Sequence, residues 1–190
     1  KYAKEFGYVI KLLGVAKNTE DGIEVKVHPM LIPNNHPLAN VNDAFNAVFV
    51  HGKAMDDAMF MGRGAGQMPT ASAVVGDIID VCRNIVHDSC GRIGCCCYKN
   101  LEVKDITDTK SKFFLRLEVA DKQGVLANIA SVLGNSGVSI AQVVQKSGKD
   151  GVAELVIITA EVLEKNFNDA MAVFKGLSAV KNIAGVIRVY

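Results

Sequence analysis

Apolar and polar positions alternate over much of the first third of the chain. Ile23, Val25 and Val27 fall on one side and Glu24 and Lys26 on the other, the period-two pattern of a half-buried strand. The stretch YVIKLLGVAK (residues 8–17) reads as a partner strand, and NTEDG (18–22) between them ends in Asp-Gly, a strong hairpin signal. Ahead of it, Tyr2, Phe6, Val9 and Ile10 have a helix-like spacing. IPNNHPLANV (32–41) predicts a loop with one helical turn, and FNAVFVHG (45–52) and AMFMGRG (58–64) two more short strands. Residues 69–86 predict a helix, with Pro69 in its first turn and Val74, Ile78, Val81 and Ile85 on one face. Residues 87–111 read as loop.

The pattern changes from Phe113 onward. Leu115, Leu117 and Val119 alternate with Arg116 and Glu118. A helix follows, with Leu126, Ile129 and Leu133 on one face and a Gly137 stop. Then come strands at VSIAQVVQK and VAELVIITA, a helix with Phe167, Met171 and Phe174 inward, and a last strand at VKNIAGVIRVY. Strand, helix, strand, strand, helix, strand is the ferredoxin-like order. The expected fold class is α+β: a mainly antiparallel sheet with covering helices, then a βαββαβ domain. The expected boundaries are 1–97, a linker at 98–111, and 112–190.

The formal net charge is +1 over 190 residues, so no basic field points to nucleic acid. No apolar run approaches the ~20 residues of a membrane span. A soluble cytoplasmic protein, without nucleic-acid or membrane partners, is expected. The sequence begins without Met and reads as part of a longer chain. Its cysteines, Cys82, Cys90, Cys95, Cys96 and Cys97, are odd in number and clustered, a poor disulfide framework that suits a reducing compartment. A zinc site built on them and His87 lacks the paired C-x-x-C knuckles, and no metal is expected. His28 and His36, each beside a proline, are weak site candidates.

GRGAGQMPTASAV (62–74) poses the sharpest chemical question. Its glycines, Gly62, Gly64 and Gly66, are spaced G-x-G-x-G. The dinucleotide fingerprint needs G-x-G-x-x-G in a βαβ unit, and a phosphate-binding loop needs Gly-Lys-Ser/Thr. Spacing alone favours a flexible turn before a helix of small residues, although glycine also admits a ligand close to the backbone at a helix N-terminus.

Here the residues resemble a known family. HPLA, NAV and GAG-x-x-PTASAV, preceded by YVIKLLGVAK and followed by a ferredoxin-like domain, look like the C-terminal part of bacterial homoserine dehydrogenase. The resemblance implies that the glycine turn faces a nicotinamide cofactor, NADP or NAD, with Gly66 as the contact beside Gly64 and Ala65. It also implies that the catalytic lysine, the catalytic aspartate and the homoserine-binding glutamate lie upstream. No catalytic residue is therefore expected in this chain, and Lys4, Lys11 and Lys17 read as solvated. The intact enzyme would reduce L-aspartate 4-semialdehyde to L-homoserine as a homodimer or tetramer, and the chain alone would be inactive.

ADKQGVLANIASVLGNSGVSI (120–140) resembles the first strand–helix turn of ACT domains. That resemblance implies an amino-acid effector, threonine, held by Asp121, Gly124, Val125 and Leu126. A partner subunit's strand, from about Val138 to Gln142, would close the pocket with Ser139, Ile140 and Gln142, and Gln142 and Asn135 would be polar contacts. A structural alternative is that Asp121 caps the helix. The rival function is a stand-alone amino-acid-binding or assembly module without catalysis.

Overall fold

The computed structural model describes residues 1–91, 94, 100–146 and 150–190. The chain divides into two compact units, residues 1–33 with 101–190, and residues 34–100.

The first unit starts with a short helix, α1 (Tyr2–Glu5). The helix-like spacing of the first ten residues is realised only over this turn. Gly7 takes φ +77°, which ends the helix, and Tyr8 opens a strand. β1 (Tyr8–Thr19) and β2 (Gly22–Pro33) form the expected antiparallel hairpin. The rest of the unit runs β5 (Lys110–Ala120), α3 (Val125–Asn135), β6 (Ile140–Lys146), β7 (Val152–Thr159), a two-residue β8 (Val162–Leu163), α4 (Glu164–Gly176) and β9 (Val180–Val189). The ferredoxin-like order is present, with β9-β5-β7-β6 side by side.

The hairpin also joins this sheet. β2 runs parallel to β9, pairing Met30 with Arg188 and Leu31 with Val189. The result is one sheet in the order β1-β2-β9-β5-β7-β6, with β8 on β5. Residues 102–104 are tied to the hairpin as well: Ile23 N–H donates to the Glu102 carbonyl and Lys104 N–H to the Ile23 carbonyl, each at 2.9 Å.

Two apolar layers form on this sheet. Leu115, Leu117 and Val119 of β5, with Leu155 and Ile157 of β7, pack under α3 and α4 against Ile129, Leu133, Phe167 and Phe174. Phe113 and Phe167 stack with ring centroids 3.6 Å apart. The inward residues of α3 are Val125, Ile129 and Leu133. Leu126, expected inward, stays 40% exposed, because Val125 already occupies the core at the helix start. On the opposite face, Tyr2, Leu31, Phe114, Val156, Ile158 and Val189 form a second cluster. β7 is therefore apolar on both sides, as suits a strand covered on both faces.

The second unit holds a 3-10 turn (Pro37–Asn40), the hairpin of β3 (Phe45–Gly52) and β4 (Asp56–Arg63), and α2 (Gln67–Val86). Among its described residues only the side chain of Ala39 is buried. The predicted apolar face of α2, Val74, Ile78, Val81 and Ile85, lies open.

Candidate functional site

The first strand–helix turn of the ferredoxin-like module is built by a glycine. Gly124 holds φ +83°, a left-handed conformation that an L side chain adopts at a cost. The chain can then swing from β5 into α3, whose N-cap is Gly124 itself. No side chain caps this helix start. Asp121 is therefore not the cap: its own N–H donates to the Gly151 carbonyl at 2.9 Å, which anchors the loop by its backbone. An uncapped helix start beside a turn is suited to a carboxylate.

A cavity of about 320 Å³ opens at this turn, lined by residues 119–126 together with Gln145 and Leu155. Asp121, Gly124, Val125 and Leu126 are thus brought together. The half-exposed Leu126 supplies an apolar wall. Ser139, Ile140 and Gln142 are not among the residues lining this cavity: the Ser139 carbonyl accepts from Ala160 N–H, and Ile140 and Gln142 pair with Thr159 and Ile158 at the other end of β6. Asn135 ends α3. Gln145 was missed by the sequence reading; strand alternation offered the one signal, since it places Gln145 and Val143 on the same side of β6.

The glycine turn lies in the second unit. Gly66 is the N-cap of α2 at φ +126°, again with no side-chain cap. A Cβ on Gly66 would come within 3.2 Å of Pro69 Cδ. Gly64 N–H donates to the Ala44 carbonyl at 3.1 Å, fixing the end of β4. Gly64, Ala65 and Gly66 are all exposed. An open turn before an uncapped 20-residue helix fits the approach of an anionic dinucleotide from one side.

A buried polar cluster that no sequence motif announced joins β2 to the ferredoxin-like module. Arg188 donates from Nε and Nη2 to the two carboxylate oxygens of Glu164, each at 2.6 Å. Lys26 Nζ donates to the Lys110 carbonyl at 2.9 Å and to Ser111 Oγ at 3.0 Å, and Glu24 lies 3.8 Å away. Burial opposes ionisation of Glu164, but hydrogen bonds from Arg188 and Ser111 and the charges of Arg188 and Lys26 outweigh it, so the carboxyl titrates below its usual range. His28 sits beside this cluster with Nε2 buried and without a hydrogen bond.

A larger open hollow of about 870 Å³ lies at Asp21, Glu102, Lys104, Asp105 and Lys110. It holds charges of both signs and none of the predicted site residues. Among the described residues no group of His, Cys, Asp and Glu side chains could hold a metal ion. Cys82 and Cys90 are exposed free thiols; Cys95, Cys96 and Cys97 lie outside the described residues. No described helix is long and apolar enough to cross a membrane.

Fold and turn together define a ferredoxin-like module of the ACT type, carried on a chain that also holds a second, β-hairpin and helix unit. Residues 107–188 match the ACT domain family and residues 1–79 the family described as homoserine dehydrogenase. Across these two matches the chain is similar to homoserine dehydrogenases. It is 39% identical over 99% of its length to a homoserine dehydrogenase of Pseudomonas aeruginosa and 40% identical over 99% to that of Neisseria gonorrhoeae. A crystal structure of a homoserine dehydrogenase from Thiobacillus denitrificans superposes over the whole chain with a TM-score of 0.89 at 39% identity. The chain spans 45% of the length of the two curated relatives and 44% of that crystallised chain.

Proposed function

We propose that the chain is the C-terminal part of a homoserine dehydrogenase that reduces L-aspartate 4-semialdehyde to L-homoserine with NADPH or NADH in the cytoplasm. Residues 1–97 are its share of the catalytic domain, 98–111 the linker, and 112–190 a sensor of threonine. One observation carries the reading: homoserine dehydrogenase sequence and an ACT module open at its first strand–helix turn occur on the same chain. The nicotinamide would supply the hydride. This chain's part is to present the backbone of Gly64, Ala65 and Gly66 to the cofactor at the start of α2. No residue of the chain is assigned a proton-transfer role, and the chain alone is expected to be inactive.

In the sensor, the amino acid's α-carboxylate would lie at the uncapped start of α3. Its side chain would sit between Leu126 and Gln145. A second copy, in a dimer or tetramer, would bring Ser139, Ile140 and Gln142 to close the pocket.

The test is calorimetric titration of the chain with L-threonine, with L-isoleucine, L-methionine and L-serine as comparisons. Saturable threonine binding that is lost in a folded Gly124→Val variant is the expected result. No binding by any of them, in folded and self-associated protein, overturns the sensor. For the enzyme, the full-length protein is expected to oxidise NAD(P)H only when L-aspartate 4-semialdehyde is present; failure with both cofactors overturns that assignment.

A further inference from the structure

Two neighbouring rungs of the β6–β7 ladder face opposite ways. Gln145 pairs with Leu155 and Lys146 with Glu154. The first pair lines the cavity at the Gly124 turn. The second, one residue on and therefore on the other face, holds α1. Lys146 Nζ reaches both carboxylate oxygens of Glu5, at 2.5 and 2.7 Å, and lies 4.8 Å from the centre of the Tyr2 ring. The Tyr2 hydroxyl donates to Glu154, and Arg116 Nε lies 3.5 Å from the same carboxylate. Tyr2 is 6% exposed and packs on Leu31, Phe114 and Val156.

We propose that these two rungs are a relay by which ligand occupancy of the cavity is passed to α1. Within this chain, and among the described residues, β6 is an edge strand bonded to β7 alone. Its end can therefore turn with one neighbouring strand following rather than two. A ligand that draws Gln145 into the cavity turns the end of β6 and so moves Lys146, its chain neighbour. Lys146 grips Glu5 and Tyr2, so the movement shifts or loosens α1. In the enzyme proposed above, α1 belongs to the catalytic part, residues 1–97, so its contacts with Lys146 and Glu154 carry the change from the sensor into that part. The inference rests on reading the cavity as an effector site; it adds the route and the residues.

The test uses the full-length enzyme. Amide exchange is followed with and without L-threonine at Glu5, Phe6 and Gly7, whose N–H groups close the turn of α1 on Lys1, Tyr2 and Lys4. Threonine binding is measured by calorimetry and inhibition by assay. In the wild type, threonine is expected to change exchange at these amides. In Lys146→Met, and separately in the more exposed Glu5→Gln, threonine is expected to bind within about twofold of the wild-type affinity, while the exchange change disappears and half-inhibition needs at least about tenfold more threonine. Threonine binding without any change at α1, or full inhibition retained in both variants, overturns the relay and leaves the sensor standing. Absence of threonine binding to the wild type overturns the sensor and the relay with it.

Discussion

Arg188 and Glu164 meet as a bidentate pair, two nitrogens on two oxygens at 2.6 Å, with the carboxylate 2% exposed. Their partners make the pair a junction: Arg188 lies on β9 where β9 meets Met30 of β2, and Glu164 begins α4. Removing one member leaves the other charge buried and uncompensated. Arg188→Met is expected to cost about 3–5 kcal/mol of folding stability. The double variant Arg188→Met/Glu164→Met is expected to recover much of that loss, since two packed apolar side chains replace two desolvated charges. Urea unfolding of the four members of this cycle measures both. The Glu164 carboxyl is held below its ordinary value of 4.5. Its pH-dependent contribution is therefore complete above about pH 4.5 and is lost as the pH falls through the lower folded value.

His28 gives the junction a second pH dependence at milder acidity. Burial lowers its pKa from the ordinary 6.5, helped by the positive charges of Arg188 and Lys26 and opposed by Glu164. Protons therefore bind the unfolded chain first. The stability His28 contributes is complete above about pH 6.5 and falls as the pH drops toward the depressed folded value. The wild type is expected to lose urea resistance between pH 7.5 and pH 5.5 more steeply than His28→Gln. Parallel profiles for the two proteins would show that the ring does not titrate against this cluster.

Much of this architecture was legible in the chain's periodicity, and the exceptions share a cause. Leu115, Leu117 and Val119 alternate as a half-buried strand should, and they lie in the core. Asp21-Gly22 marked a real hairpin. The Gly124 turn was readable because a left-handed turn and a helix start are local properties. What stayed hidden was long-range. Nothing near Met30 and Leu31 announces Arg188 and Val189 as neighbours. Glu164 reads as a solvated acid in a helix's first turn until Arg188, from a distant strand, buries it. Gln145 looks like any polar residue of an edge strand. Leu126 was misassigned because helical spacing alone does not say whether position 125 or 126 starts the inward stripe.

Gly124 offers a clean measure of backbone strain. No atom lies within 4 Å of where its Cβ would be, so Gly124→Ala meets no clash. The cost is then that of placing an L residue at φ +83°, about 1–2 kcal/mol. Asn, which tolerates this region better, is expected to cost less than Ala. Urea midpoints for the three proteins give the order Gly, Asn, Ala. An Ala midpoint equal to that of the wild type would mean the turn relaxes to negative φ.

The open face of α2 yields the last prediction. Val74, Ile78, Val81 and Ile85 are 53–65% exposed along one side of the helix, and Ile78, Ile79, Cys82 and Val86 line an open apolar hollow of about 270 Å³ beside Arg83 and His87. An apolar stripe of this length on water favours association. The isolated chain is expected to self-associate with rising concentration in sedimentation velocity and to bind a hydrophobic dye. Ile78→Glu/Ile85→Glu is expected to suppress both without lowering the urea midpoint, since neither side chain is covered in this chain. In the full-length enzyme proposed above, where α2 would be covered, the same pair is expected to be destabilising, because covering one isoleucine is worth about 1.5–3 kcal/mol. A lowered midpoint in the isolated chain would mean that the face is already covered there, by a second copy.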